Sequence, residues 1–309
     1  MHNDPFRSLV RSEGVRLYRD LPWRRTRDPY KIWLSEVMLQ QTQVARVETR
    51  WQEWLDRFPT VGYLAAAPVS DVLAAWQGMG YNRRALSLKK AAETIAQEYD
   101  GAFPRSVKEL VALPGIGPAT AQGIRSFAFD LPGVYLETNV RTVVLHHLFP
   151  DASEVSDKEL TPIAAATCPA AVCTDEADEA TVRLQLAGRF ADPQDARDTP
   201  RAWYYAMLDY GAYLKKTVPN PSRRAKAYTR QSKFEGSRRQ KRAEAVRMLL
   251  EAQAQGMAGV TTGAVAMRLS EVELVAGRPS VDEALAASIL EDLEREGFCC
   301  REDGAWRIV

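Results

Sequence analysis

The sequence predicts an all-α protein with a small winged-helix-like module at its C-terminal end, and three observations predict it. From Asp28 to Leu148 apolar residues recur at helical spacing between Gly and Pro punctuation, and no stretch there alternates as a half-buried strand does. From about Arg239 the pattern reads as three helices followed by two short strands about an Asp303-Gly304 turn. The composition, 46% hydrophobic and 26% charged over 309 residues, supports a folded core and suits two or three packed units.

Asp28-Pro29 reads as a helix start, an acid at the cap followed by Pro at the first helical position. This helix is expected to run on through Ile32, Trp33, Glu36, Leu39, Gln40 and Gln43, which share one face. Further helices are expected around Val69 to Trp76, Ala85 to Tyr99, Val107 to Leu113 and Ala119 to Phe127. The segment 161–200 loses this periodicity in Ala-, Asp- and Glu-rich sequence and reads as a variable insertion of poor order. Helical sequence resumes at Arg201 with WYYAMLDYGAYL. In the tail the expected helices are Ala243 to Gln255, Thr262 to Leu269 and Val281 to Glu296, with strands at Phe298 to Arg301 and Trp306 to Val309. Winged helices bind DNA or dock proteins, and contact with DNA is the expectation here.

No run of apolar residues is long enough for a membrane span, and the start lacks the apolar stretch of a signal peptide, so a cytoplasmic, nucleoid-associated protein without a membrane partner is expected. Cys168, Cys173, Cys299 and Cys300 show neither metal-ligand spacing nor a disulfide framework. Net charge is only +1, yet the segment 215–242 carries Lys215, Lys216, Arg223, Arg224, Lys226, Arg230, Lys233, Arg238, Arg239, Lys241 and Arg242 against Glu235 alone. That run reads either as a solvated linker or as a surface for phosphates.

The strongest local motif is LPGIGPATA, Leu113 to Ala121. It joins two helices by a tight turn in which Gly115 and Gly117 admit backbone angles that other residues resist, while Ile116 plugs the gap between the helices. The amides of the turn and of the next helix start, at Ala119 and Thr120, can then hold a DNA phosphate without reading sequence. A plain helix-helix connection is the competing reading.

With LPWRR (21–25), DPYKIWLSEVMLQQTQV (28–44), RFPTV (57–61), WQGMGYNRRALSLKKAA (76–92), LPGIGPATA (113–121), LETNVRTV (136–143) and WYYAMLDYGA (203–212), the span from Leu21 to Leu214 resembles the helix-hairpin-helix DNA glycosylases. Among them it is most similar to the MutY adenine glycosylases and more loosely to endonuclease III. The resemblance implies a two-lobed helical fold with a cleft between the lobes: one lobe of 1–27 with 130–238, a second of 28–129 holding the hairpin, and 239–309 as an added winged helix. It implies a monomeric enzyme that flips a base out of double-stranded DNA and hydrolyses its bond to the sugar.

By similarity Glu36 is the acid that protonates the departing base and manages the water, its apolar helical neighbours favouring the protonated form. Glu137 stands where these families place an aspartate, one methylene longer; the start of the following helix is expected to keep it ionised, to face the sugar cation. Gln41, Thr42 and Tyr81 are implied as wedge and strand contacts in the opened duplex. Bifunctional relatives carry a lysine nucleophile where this chain has Ala119, so hydrolysis without strand cleavage is expected. Adenine glycosylases often place a hydroxyl there, which leaves uracil, thymine from a mispair or a damaged base as alternative targets. A non-catalytic DNA-binding adaptor is the alternative from another class. The four-cysteine loop that holds an iron-sulfur cluster in relatives is replaced by the basic segment, so no cofactor is expected, and the winged helix stands in place of their Nudix-like domain.

Overall fold

The computed structural model describes residues 5–169, 199–230 and 232–309. The described residues form helices almost throughout, with one C-terminal hairpin. None of these helices is long and apolar enough to cross a membrane. Contacts divide the chain into two compact units, Met1–Gln40 with Phe103–Arg230, and Gln41–Ala102 with Gln231–Val309.

The first unit holds α1 (Pro5–Arg16), α2 (Pro29–Leu39), α7 (Val107–Ala112), α8 (Pro118–Phe129), α9 (Thr138–Leu148), α10 (Asp157–Thr167) and α11 (Pro200–Thr217). Its hub is α11, which packs on α1, α8 and α9. Thr199 caps α11 by accepting from Ala202 N, and Pro200 starts it. The core around it gathers Phe6, Val10, Phe127, Val140, Val144 and Trp203. Charged groups lie inside this apolar setting: Asp209 and Arg24 are buried, and Arg24 reaches both Asp209 oxygens at 2.7 and 2.8 Å, with Arg19 Nε at 2.6 Å. Buried Arg201 donates to the carbonyls of Arg24 and Thr26 at 2.8 and 2.9 Å. These bonds, together with buried Leu21 and Trp23, fasten the segment before α2 in place.

The second unit holds α3 (Val44–Arg57), α4 (Val61–Ala66), α5 (Val69–Ala75) and α6 (Arg83–Glu98), followed by α12 (Arg238–Ala254), α13 (Thr262–Val275), α14 (Glu283–Arg295), β1 (Cys299–Glu302) and β2 (Ala305–Ile308). Trp54 meets Phe58 and Trp76 edge-on, with ring centroids 5.0 and 5.4 Å apart. The hairpin pairs Cys299 with Ile308 and Glu302 with Ala305. Both turn residues are left-handed, Asp303 at φ 47° and Gly304 at φ 81°, which gives the turn the twist a two-residue hairpin needs. Val260 bridges Trp306 as a third extended segment. Three helices closed by this hairpin form the expected winged-helix layout.

Several elements differ from the expectation: α12 begins at Arg238 rather than Ala243, and α13 runs to Val275 rather than ending at Leu269. The helix begun at Asp28 stops at Leu39 rather than running to Gln43, because Gln40 leaves helical geometry and Gln41 turns left-handed at φ 57°. Residues 161–167 of the insertion expected from residue 161 are helical: α10 extends to Thr167, started by a capping box between Ser156 and Glu159. Residues 170–198 of that expected insertion lie outside the described residues.

Candidate active site

Glu36 sits on α2, where Asp28 caps the first turn by accepting from Tyr30 N at 2.9 Å. The neighbouring Ile32, Trp33, Val37 and Met38 are buried, and Glu36 itself is half-buried. Helix α8 approaches α2 so closely that a Cβ on Gly123 would lie 2.2 Å from Glu36 Oε2. Tyr135 donates its hydroxyl to that same oxygen at 3.0 Å. Burial raises the Glu36 carboxyl to about 8; the Tyr135 bond works against this and the charge of Glu137 adds to it. At neutral pH Glu36 therefore carries a proton.

Tyr135 is held on several sides. Its ring meets Phe127 and Tyr204 edge-on, each at 5.3 Å. Its backbone N–H donates to the Tyr204 hydroxyl at 3.1 Å, and that hydroxyl donates to the Gly133 carbonyl. Desolvation and the two glutamates push the Tyr135 phenol well above its ordinary value, so it stays a hydrogen-bond donor.

Glu137 is the N-cap of α9, its Oε1 accepting from Asn139 N at 2.5 Å and Val140 N at 3.1 Å. Helix α11 can approach this end because of Gly211, where a Cβ would stand 2.2 Å from the Asn139 carbonyl oxygen. Burial pushes the Glu137 carboxyl up, while Lys215 at the end of α11 and the two backbone amides pull it down. The helix start does not set its charge alone, as the sequence suggested; desolvation is the larger influence and Lys215 the foremost counterweight. Buried Asn139 Oδ1 has no hydrogen-bond partner among the described residues and is an acceptor beside this carboxylate.

The structure thus brings Glu36 and Glu137 within electrostatic reach of each other, with Tyr135 bonded to Glu36. Tyr135, Gly123, Gly211 and Lys215 were not singled out from the sequence as parts of it. Tyr135 stands two residues before Glu137, and Gly211 lies within the DYGA string, but neither spacing reveals a partner far away in sequence.

The hairpin of LPGIGPATA also lies in the first unit. Gly115 is left-handed at φ 75°, as expected, whereas Gly117 is an ordinary extended residue at φ −82° and caps α8 without needing glycine's freedom. Ile116 is buried between α7 and α8. Ala119 is exposed at the first turn of α8, where no side chain caps the amides. Thr120 instead is buried, its hydroxyl accepting from Gln40 Nε2 at 3.2 Å, so its side chain serves packing.

Gln41, Thr42 and Tyr81 lie together in the second unit. Tyr81 is half-buried and left-handed at φ 48°, and its hydroxyl donates to Gln41 Oε1 at 3.0 Å. Arg84 donates to Thr42 Oγ1 at 3.2 Å and to the carbonyls of Met79 and Gly80 at 3.0 Å.

The basic run divides in the structure. Arg224 donates to the carbonyls of Leu145, Phe149 and Pro150, closing the C-terminal end of α9, and Val155 bridges Ala225. Arg238 pairs with Asp292, Arg242 with Glu296 and Lys241 with Glu273 inside the tail. Lys216, Arg223, Lys226, Arg230 and Lys233 are exposed. The outer face of α14 carries exposed Glu283, Glu291 and Glu294, a sign that repels phosphate. The residues after α11 do not fit a four-cysteine cluster: Lys215 to Arg230 holds no cysteine, and no group of three His, Cys, Asp or Glu able to hold a metal occurs among the described residues.

Comparison with known proteins agrees with this architecture. The family model described as "HhH-GPD superfamily base excision DNA repair protein" matches residues 34–166. An adenine DNA glycosylase of Mycolicibacterium smegmatis is 44% identical over 153 residues, covering 49% of this chain and 52% of its own length. One from Mycobacterium tuberculosis is 38% identical over 220 residues, covering 69% of this chain and 70% of its own length. The match thus spans only about half of the former relative. A thermostable thymine-DNA glycosylase of 22% identity shares the fold at a TM-score of 0.53, over 67% of this chain and 87% of its own. The chain belongs to the HhH-GPD superfamily of base excision DNA repair proteins.

Proposed function

We propose that this chain is a DNA glycosylase of base excision repair that hydrolyses the bond between a flipped-out, mispaired adenine and its sugar. The observation that carries the proposal is a half-buried Glu36 bonded to Tyr135, its carboxyl raised by burial and by the nearby charge of Glu137. The adenine assignment draws support from the relatives named adenine DNA glycosylase.

Glu36 gives its proton to a ring nitrogen of the purine as the C1′–N bond breaks, so that the base departs neutral. The electron-poor sugar that remains has oxocarbenium character, and the Glu137 carboxylate stabilises it. Water then adds to C1′ and passes a proton to the Glu36 carboxylate, which restores the acid. Tyr135 holds the Glu36 carboxyl in place through both steps. With Ala119 in place of a lysine no Schiff base forms at that position, so the reaction stops at an abasic site. The chain works as a monomer on double-stranded DNA, in the cytoplasm with the chromosome. The amides of Gly117, Ala119 and Thr120 at the hairpin turn and the start of α8 hold a backbone phosphate beside Gly115, with Ile116 keeping the hairpin closed, and Gln41, Thr42 and Tyr81 occupy the opened stack. No iron-sulfur cluster takes part.

Ala119 also favours a second reading, in which the same site takes uracil, mispaired thymine or a damaged base. A panel of duplexes decides between them: adenine opposite 8-oxoguanine or guanine, and uracil or thymine opposite guanine, each followed by hot alkali. Cleavage of the adenine duplexes only after alkali is expected, and its loss in Glu36→Gln and in Glu137→Gln. Cleavage before alkali refutes pure hydrolysis. Activity confined to uracil or thymine transfers the proposal to that base, and no product on any duplex favours a DNA-binding adaptor.

A further inference from the structure

Tyr81 is tied to the C-terminal module by a residue on the first turn of α12. Arg239 Nη1 donates to the Tyr81 hydroxyl at 2.7 Å. Its guanidinium also stands 4.8 Å from the Tyr81 ring centroid and 5.3 Å from that of Phe234. A second donation, to the Ser232 carbonyl at 3.2 Å, fixes the other arm. All of these groups belong to the second unit.

The tyrosine that receives this bond is unusual in its backbone. Tyr81 and Gln41 are both left-handed without being glycine, at φ 48° and φ 57°, and they are bonded to each other at 3.0 Å. Such a conformation costs free energy and persists where surrounding contacts over-determine it. A hydroxyl held by a cation on one side and an amide oxygen on the other, above a turn braced by Arg84, is an over-determined group of this kind.

We infer that Arg239 is a positioning residue for the duplex-entering aromatic: the winged-helix module serves recognition by presetting Tyr81 rather than by laying its acidic third helix on DNA. This rests on the reading of Tyr81 as the residue that fills the vacated stack. A side chain already held in its bound rotamer loses less conformational entropy when the duplex opens around it. The guanidinium suits this task because it offers both a directed N–H and a flat cationic face.

A product-like duplex tests this without dependence on which base is excised. It carries a tetrahydrofuran abasic-site analogue with 2-aminopurine as its neighbour, and the full chain is titrated into it. Wild type is expected to change the 2-aminopurine fluorescence. Arg239→Ala should bind about tenfold more weakly, the worth of one charge-assisted hydrogen bond with its ring contact, and should lose most of the fluorescence change. Arg239→Lys, which keeps a cation and a donor, should recover much of both. In a Tyr81→Ala background Arg239→Ala should add almost nothing, because the residue acts through the tyrosine. An equal, additive loss in that background makes Arg239 a direct DNA contact and overturns the inference, as does a wild-type signal in Arg239→Ala. Failure of wild type itself to alter the fluorescence refutes Tyr81 as a wedge, and with it the inference. A melting curve for each variant identifies unfolding, in which event the Arg239→Lys and Tyr81→Phe pair carries the comparison, loss of the hydroxyl being expected to imitate loss of Arg239.

Discussion

Tyr135 donates its phenolic hydrogen to Oε2 of Glu36 across 3.0 Å, although 99 positions separate the two residues in sequence. The bond reconciles two requirements that oppose each other. Burial favours a neutral carboxyl, which is what an acid catalyst needs, but burial also strips away the water that would hold the group still. A phenol that keeps its proton supplies the fixed partner.

In the proposed reaction the acid form of Glu36 is the active one, so excision should decline as pH rises through about 8, the value to which burial lifts this carboxyl. Stability should move in the same sense. The folded value exceeds the ordinary 4.5, so the folded chain holds a proton that the unfolded chain has lost, and stability is given up as pH rises from about 4.5 to about 8. Glu36→Gln should therefore melt above wild type at pH 8, by about 2–4 °C after allowance for solvent at this half-buried group, and level with it at pH 4. A melting difference that does not vary with pH would count against the raised value.

Gly123→Ala should separate activity from folding. The new methyl would claim the place of Glu36 Oε2, 2.2 Å away, and the flexible carboxyl is the group able to give way. Single-turnover excision should fall on the order of 100-fold, since displacement of about 1 Å is costly at a reacting centre. Thermal melting should change little. Full activity would show that the carboxyl need not stand where Tyr135 holds it.

Lys215→Met should shift the acid side of the pH profile. Lys215 is the chief influence that lowers the Glu137 carboxyl, and the proposed reaction requires Glu137 to be ionised. Without the ammonium, ionisation requires higher pH, so the rising limb of the rate against pH should move to the alkaline side. An unmoved limb would remove Lys215 from the site's electrostatics.

Asp209→Asn removes the charge that satisfies Arg24 and Arg19 inside the first unit. Leaving a buried guanidinium without its counter-charge should cost about 3–5 kcal/mol. Urea unfolding should show this as a lower midpoint with an unchanged slope. An unchanged midpoint would mean that solvent already screens the pair.

What was legible in the sequence is what neighbouring residues decide. Asp28-Pro29 announced α2, LPGIG announced the hairpin, and Asp303-Gly304 announced the turn between β1 and β2, because caps and left-handed turns are local chemistry. Glu36 and Glu137 were found only through resemblance, since a half-buried glutamate on a helix has no spacing that sets it apart from a surface one. The end of α2 was misplaced because Gln40 and Gln41 are competent helix formers, and contacts to Thr120 and Tyr81 draw them out of the helix. The capping box at Ser156 is local chemistry that the Ala-rich sequence after it obscures. Arg239 looked like one more charge in a basic run; only folding separates it from Arg238, which pairs with Asp292, and from Arg224, which closes a helix end.

Because Gln41–Ala102 and Gln231–Val309 make up one unit, its two pieces emerge from the ribosome far apart in time. At elongation of about 5–20 residues per second, the intervening stretch delays the second piece by roughly ten seconds. Throughout that delay Tyr81 exists without Arg239. The nascent chain can shape the unit that bears Glu36 and Glu137 before Tyr81 is set, and a message that stops early would release a polypeptide with one unit finished and the other lacking its clasp.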